Sequence, residues 1–260
     1  EYLSVAGEFV RRGAVRGVRL STRPDCIDVE TLARLREYPV QTIELGAQSM
    51  DDGVLRAAGR GHTAEDTRHA ATLVKQFGFS LVLQVMCGLP GDSRASVCQT
   101  ARDVAALTPD AVRIYPVCVL RDTPLARMTE EKRYTPLTVE LGVEYAADML
   151  EIFEARAIPA IRIGLNPTDT LSGGAVLAGA YHPALGELVR SRVLLRSALR
   201  QLADCKADSV CLSVPRGALS RLVGQKRCNA QSLAHAYPGV RFAFREEDGQ
   251  SEPLKITAMP

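Results

Sequence analysis

None of the seven cysteines (Cys26, Cys87, Cys98, Cys118, Cys205, Cys211 and Cys228) stands in a CxxC or CxxxCxxC spacing with another. That argues against a closed structural zinc site. An odd number of thiols, several inside apolar strand-like runs, fits a reduced cytoplasmic protein better than a disulfide framework. No apolar run approaches the roughly 20 residues of a membrane-spanning helix, and no charged–apolar–small signal segment opens the chain. Neither sign of charge is in excess: the net charge is +2, which implies no bulk attraction to nucleic acid or membrane and leaves only local basic patches open. P-loop, HExxH and GxSxG motifs are absent. The stretch Gly59-Arg60-Gly61-His62-Thr63-Ala64 spells GxGxxA, but it follows a helical segment, whereas a dinucleotide fingerprint follows a strand directly. Residue 1 is Glu, and Leu3, Val5, Phe9 and Val10 already form a helix face, so the chain reads as beginning inside a domain.

What is present suits one large core with a small appended domain: 260 residues, 46% of them hydrophobic. A helix over 1–12 ends at Gly13. Short apolar strands recur at 17–22, 41–46, 80–87, 111–117 and 159–164, with helical patterns filling most of the gaps. Thr63 caps a helix over 64–77 with Asp66 as its capping-box partner, and Asp92 caps another over 93–107. The longest helix, 138–156, places Val139, Val143, Ala146, Leu150 and Phe153 on one stripe. Strands alternating with such helices predict an α/β fold with a helix-covered parallel sheet, open or closed into a barrel. Residues 166–181 read as a Gly/Pro/Ser/Thr-rich loop. After a helix over 182–202 come a strand (209–214), two helices (216–223, 229–235) and two strands (240–245, 253–258). The predicted division is 1–165 for the barrel portion and 166–260 for a linker with a small α+β module.

Each predicted strand of the first part carries one strongly polar side chain among apolar neighbours: Arg19, Glu44, Gln84, Arg113 and Arg162. Strands of a buried parallel sheet are near-continuous hydrophobic runs, and an unpaired buried charge is costly. The five groups are therefore expected to converge on one lumen, satisfying one another as interstrand ion pairs or meeting a ligand. Three arginines against one glutamate favour a carboxylate or phosphate there.

Five segments carry a family resemblance: Arg19-Leu20-Ser21-Thr22-Arg23-Pro24-Asp25, Glu44-Leu45-Gly46-Ala47-Gln48-Ser49, Gly59-Arg60-Gly61-His62, Gly88-Leu89-Pro90-Gly91-Asp92 and Arg113-Ile114-Tyr115-Pro116. In order and spacing the chain resembles the radical SAM superfamily, closest to the branch containing the catalytic subunit of Elongator, with oxygen-independent coproporphyrinogen III oxidase more distant. The resemblance covers about residues 1–165 and implies strands three to six of a partial (βα)6 TIM-like barrel. It also implies S-adenosylmethionine and a 4Fe-4S cluster as cofactors, a reductant such as ferredoxin or flavodoxin, and cleavage of S-adenosylmethionine to a 5′-deoxyadenosyl radical. By the same resemblance Gln48 and Arg60 contact S-adenosylmethionine, Gln84 faces its ribose or amino-acid end, and Tyr115-Pro116 lie against its adenine. Glu44 joins this cofactor set, while Arg113 and Arg162 face substrate. Ser21 stands where many members have a carboxylate that binds the cofactor's hydroxyls. The cluster's CxxxCxxC is expected upstream of Glu1, so the chain alone is expected to be inactive and to hold no metal. His62 is a catalytic candidate that reads better as a hydrogen-bonding loop residue, and the isolated Cys87 as packing.

The tail adds one feature. Leu222-Val223-Gly224-Gln225-Lys226-Arg227 joins two short helices between strands, as the GxxG loop does in KH domains that clamp RNA, with Arg227 in place of the second Gly. RNA, possibly tRNA, is the substrate class by analogy with tRNA-modifying relatives. Two other readings stand beside the radical SAM one. A degraded barrel would serve as a non-catalytic RNA-binding scaffold. A (βα)8 aldolase-type enzyme would hold phosphate on Arg113 and Arg162, although no Lys lies on a predicted barrel strand.

Overall fold

Ile43, Leu45, Leu81, Leu83, Val85, Val112 and Ile114 fill one face of a parallel sheet with no solvent exposure, which is why the chain between them folds back as helices. The computed structural model describes residues 1–169 and 171–259. The chain divides into two units, Glu1–Pro183 and Ala184–Pro260.

The first unit runs α1 (Tyr2–Arg11), β1 (Val18–Thr22), α2 (Val29–Leu35), β2 (Val40–Gln48), α3 (Asp52–Ala57), α4 (Ala64–Gln76), β3 (Ser80–Cys87), α5 (Arg94–Ala106), β4 (Ala111–Pro116), β5 (Cys118–Leu120), α6 (Pro124–Glu130), α7 (Val139–Glu154), β6 (Ala160–Ile163) and β7 (Val176–Gly179). Strands β1, β2, β3, β4 and β6 pair in chain order and all in parallel. This is the α/β architecture read from the sequence. Helices α4, α5 and α7 pack on the apolar face through Val74, Val97, Ala101, Val104, Ala146, Leu150 and Phe153. Each of these larger side chains contributes about 1.5–3 kcal/mol on burial.

Local signals account for most boundaries. Thr63 caps α4 in a reciprocal box with Asp66. The cap of α5 is Ser93 and not Asp92: Ser93 and Ser96 form the box, while Asp92 accepts from Gly88 N and Ser96 Oγ and so closes the Gly88–Asp92 turn. Two helices with weak periodicity, α2 and α6, begin at Asp28 and Thr123 caps, the latter followed by Pro124. The stretch 166–181, read as loop, instead contains β7, which pairs antiparallel with β5 and ties these residues to the first unit. Helix α1 buries only Gly7, while Tyr2, Val5 and Phe9 remain half or more exposed, so the apolar face read from the sequence is largely open.

The second unit runs α8 (Leu185–Leu202), β8 (Ser209–Pro215), α9 (Leu219–Val223), α10 (Cys228–Ala236), β9 (Arg241–Glu247) and β10 (Lys255–Ala258). Helix α8 starts after Pro183 and not at His182, because the residue before a proline is driven out of helical geometry. The sheet order is β10-β8-β9, with β8 parallel to β9 and antiparallel to β10. Leu195, Ala198, Leu202, Val210, Leu212, Val214, Leu222 and Leu233 form its core.

Candidate functional site

Strand alternation sends the embedded polar residues to the face of the first sheet that the helices leave open. Register places Ser21 beside Glu44 and aligns Gly46, Gln84, Arg113 and Arg162 in one row across four strands. Glu44 is 3% exposed and forms ion pairs with two guanidinium groups, Arg19 and, at 3.5 Å, Arg113. The Arg113 Nε contact is an ion pair without hydrogen-bond alignment, and Arg113 Nη1 lies 3.5 Å from the Tyr115 hydroxyl. Two of the three arginines thus share one carboxylate, the interstrand pairing anticipated from the sequence. The Arg162 side chain has no hydrogen bond or ion pair among the described residues.

At the C-terminal end of β2 the backbone changes hand. Its register with β3 shifts between Gly46 and Gln48, and Gln48 takes φ 63°. By alternation Gln48 lies on the face of Glu44 and Gly46, and the bulge brings it opposite Val85 in place of Met86. The left-handed turn sets its amide over Gly46, where Gln84 Nε2 donates to Gln48 Oε1 at 3.1 Å. Gly46 leaves room for this amide, since an ideal Cβ would stand 2.5 Å from Gln48 Nε2. The same position lies 3.7 Å from Arg60 Nη2, so Arg60, Gln48 and Gln84 converge above one glycine.

Arg60 follows the end of α3, its N–H donating to Leu55 O at 2.9 Å after Gly59 turns left-handed. Its guanidinium has no hydrogen bond or ion pair among the described residues. Burial holds its pKa below the ordinary arginine value, and the neighbouring Arg23 pushes the same way against Asp25. His62 Nε2 sits 3.0 Å from Ala47 O with the ring 3% exposed, pinning the Arg60 loop to β2, and its Nδ1 is buried without a partner. That is the hydrogen-bonding loop role expected of it.

Gln48, Arg60, Gln84, Glu44, Arg113, Tyr115 and Arg162 therefore share the open face, and Ser21 stands exposed on its β1 edge. Pro116 does not join them. Strand alternation turns it to the opposite side, where it packs against Gly142 of α7, so only Tyr115 of that pair faces the cluster. Two contributors were missed. Gly46 could have been found as an isolated glycine inside a strand pattern, which marks close backbone approach. Arg23, paired to Asp25 across Gly61, had no such signal. Among the described residues no three His, Cys, Asp or Glu side chains form a group that could hold a metal ion, and Cys87 is buried with its thiol pKa pushed well up. No helix among the described residues is long and apolar enough to cross a membrane.

Comparison with known proteins bears on the family and the fold. The chain is 34% identical over 141 residues to an uncharacterized protein of Methanocaldococcus jannaschii, covering 53% of this chain and 44% of that one. It is 29% identical to the tRNA uridine(34) acetyltransferase of Dehalococcoides mccartyi, covering 61% of this chain and 37% of the relative. It is also 29% identical to human Elongator complex protein 3, covering 68% and 32%. The chain thus spans less than half the length of these relatives. The solved archaeal Elp3 of Methanocaldococcus infernus shares its fold with a TM-score of 0.60 and 24% identity, covering 72% of this chain and 42% of that one. The model of the radical SAM superfamily matches residues 4–104 and that of the radical SAM C-terminal domain residues 109–194, and on these matches the chain belongs to the radical SAM superfamily.

Proposed function

We propose that the open face of the first unit is the S-adenosylmethionine-contacting part of a radical SAM enzyme that modifies RNA, with tRNA as substrate. The observation that carries this reading is the unpaired Arg60 guanidinium beside the Gln48–Gln84 amide pair above Gly46. A zwitterionic sulfonium needs a cation for its carboxylate and neutral polar groups for its amino-acid and ribose ends, and this cluster supplies both. Arg60 takes the carboxylate, while Gln48 and Gln84 orient the ribose or amino-acid end. Ser21 and Glu44 serve the hydroxyl and cationic parts, and Tyr115 lies toward adenine. In the complete enzyme, the bound S-adenosylmethionine would supply, on one-electron reduction, the radical chemistry for hydrogen abstraction from substrate, with methionine as the other fragment. The electron comes from a ferredoxin- or flavodoxin-class donor. Arg113 and Arg162 meet the substrate's phosphates.

The described residues of this chain do not fit a 4Fe-4S cluster, since no three thiolates come together. The 260-residue chain alone is therefore expected to be colourless after anaerobic purification and not to cleave S-adenosylmethionine. The tRNA substrate rests on relatives named tRNA uridine(34) acetyltransferase. The acetyltransferase activity is not carried over, because no acetyltransferase domain is recognised in this sequence. Calorimetric titration of the chain with S-adenosylmethionine tests the site. Arg60→Ala should weaken binding about tenfold to a hundredfold with no change in thermal midpoint. Equal affinity in the variant, or no binding by the native chain, refutes the reading.

A further inference from the structure

Charge is unevenly divided between the two units. Residues 1–183 carry 20 Lys/Arg and 23 Asp/Glu, a net charge of −3, whereas residues 184–260 carry 12 and 7, a net charge of +5. Several acids of the second unit are engaged. Glu187 pairs with Arg221, and Glu246 accepts from the backbone of Gly217 and Leu219. Glu247 faces Arg245, and Asp248 faces Arg216. Lys226 and Arg227 are different. Both are exposed, and neither side chain has a hydrogen bond or ion pair among the described residues.

These two cations sit on the loop between α9 and α10, itself between β8 and its parallel neighbour β9. Three residues of the loop have positive φ: Gly224 (79°), Lys226 (53°) and Arg227 (63°). Side chains other than glycine rarely adopt that geometry, and it persists only where the surroundings impose it. Gly224 has no room for a side chain, since a Cβ would fall 2.6 Å from Cys228 Sγ and 2.8 Å from Asn229 N. Asn229, 4% exposed, lies within 3.1 Å of Ser191 O, Ser191 Oγ, Arg221 O and Leu222 O, and so ties the loop to α8 and α9. Beside it lies a groove of about 190 Å³ whose lining includes Glu187, paired to Arg221, together with Leu188, Ser191, Ser220 and Gln225.

We infer that the loop Gly224–Arg227 is a backbone-contacting surface for single-stranded RNA, with Lys226 and Arg227 each meeting a phosphate and the α8–α9 groove receiving an adjacent ribose or base. The element order strand–helix–loop–helix–strand matches that of modules whose inter-helix loop clamps nucleic-acid backbone. Here Arg227 replaces the second glycine and adds a charge. A fixed loop offering two unpaired cations on a unit of net positive charge complements a polyanion whose phosphates are regularly spaced. The choice of RNA rests on the proposed tRNA-modifying reaction. The surface needs neither cofactor, so its test stands apart from the test of Arg60.

The test is fluorescence anisotropy of a labelled 12-nucleotide single-stranded RNA with the full 260-residue chain between 50 and 200 mM salt. The variant Lys226→Gly/Arg227→Gly removes both charges while keeping residues that favour positive φ. Binding should weaken at least tenfold, and the slope of log affinity against log salt should flatten by about 1.4, from about 0.7 per lost phosphate contact. A control, Lys206→Gly/Lys255→Gly, removes the same charge from exposed positions of the same unit and should change affinity less than twofold. The inference is overturned by any of four results: no RNA binding by the native chain at 50 mM salt, unchanged affinity in the loop variant, an equal loss in the control, or loop-dependent binding to phosphatidylserine vesicles that exceeds RNA binding. Arg60→Ala should leave RNA affinity unchanged, so failure of the S-adenosylmethionine site and failure of this surface are read separately.

Discussion

Replacing Gly46 with alanine separates a ligand surface from a merely structural row of polar residues. The new methyl falls 2.5 Å from Gln48 Nε2, the far end of a flexible side chain, so the amide swings aside and the backbone stays. Folding loses the 3.1 Å Gln84–Gln48 bond, about 1 kcal/mol. Because Gln84 is half-buried, its freed amide regains water. Alanine in a strand interior is about 0.5–1 kcal/mol more favourable than glycine, which offsets the loss. At about 2–4 °C per kcal/mol for a unit of this size, the thermal midpoint should stay within about 2 °C of native. Binding has no such offset. The displaced Gln48 amide removes one ligand hydrogen bond, about 1.4 kcal/mol or tenfold in Kd. Gln48→Ala removes the same group, so Gly46→Ala/Gln48→Ala should bind S-adenosylmethionine as weakly as either single variant. Calorimetric unfolding and calorimetric titration measure the two quantities. A variant that unfolds more than 5 °C lower, binds with native affinity, or shows additive losses in the double change refutes the reasoning.

Glu44→Gln leaves Arg19 and Arg113 facing each other without their shared carboxylate. With both guanidinium groups about a third exposed, the loss should be about 2 kcal/mol, roughly 4–8 °C in thermal midpoint, largely recovered by adding Arg113→Gln. Tyr134→Phe removes the hydroxyl that donates to the buried Gly88 carbonyl, and a loss of about 1–2 kcal/mol should appear in chemical denaturation. Asn229→Ala strips the donors that tie α10 to α8 and α9, and should lower stability by about 2–3 kcal/mol and raise amide exchange through residues 221–229. The Arg221 guanidinium holds the Glu187 carboxyl below its ordinary value of 4.5. Its contribution is therefore present above that value and lost as pH falls through the lower, folded-state pKa. An acid titration of Glu187→Gln should accordingly be shallower than native below about pH 4.5, and identical curves would remove the pair from the account.

The parallel strands were legible because each is an apolar run broken by one polar residue, a pattern that only a half-covered sheet satisfies. The open face was legible for the same reason, since Glu44, Gln84, Arg113 and Arg162 fall on one face of their strands, the last three in a single row. Alternation alone puts Gln48 on the face of Glu44 and Gly46, but its cofactor role was legible only through the family resemblance. The bulge that sets its amide over Gly46 depends on a register shift between two strands distant in sequence. Pro116 shows the converse, since adjacent strand residues point oppositely and Tyr115 and Pro116 cannot both face one ligand. The short β5–β7 ladder escaped notice because a three-residue and a four-residue strand carry too little periodicity to stand out from glycine-rich surroundings.

The open face holds Arg19, Arg60, Arg113 and Arg162 against Glu44, three positive charges without an internal counter-ion. Solvent anions will fill that deficit whenever no ligand does. Phosphate, sulfate or citrate in a buffer should therefore act as a competitor at the face, and the choice of buffer anion should alter measured affinities more than ionic strength alone does.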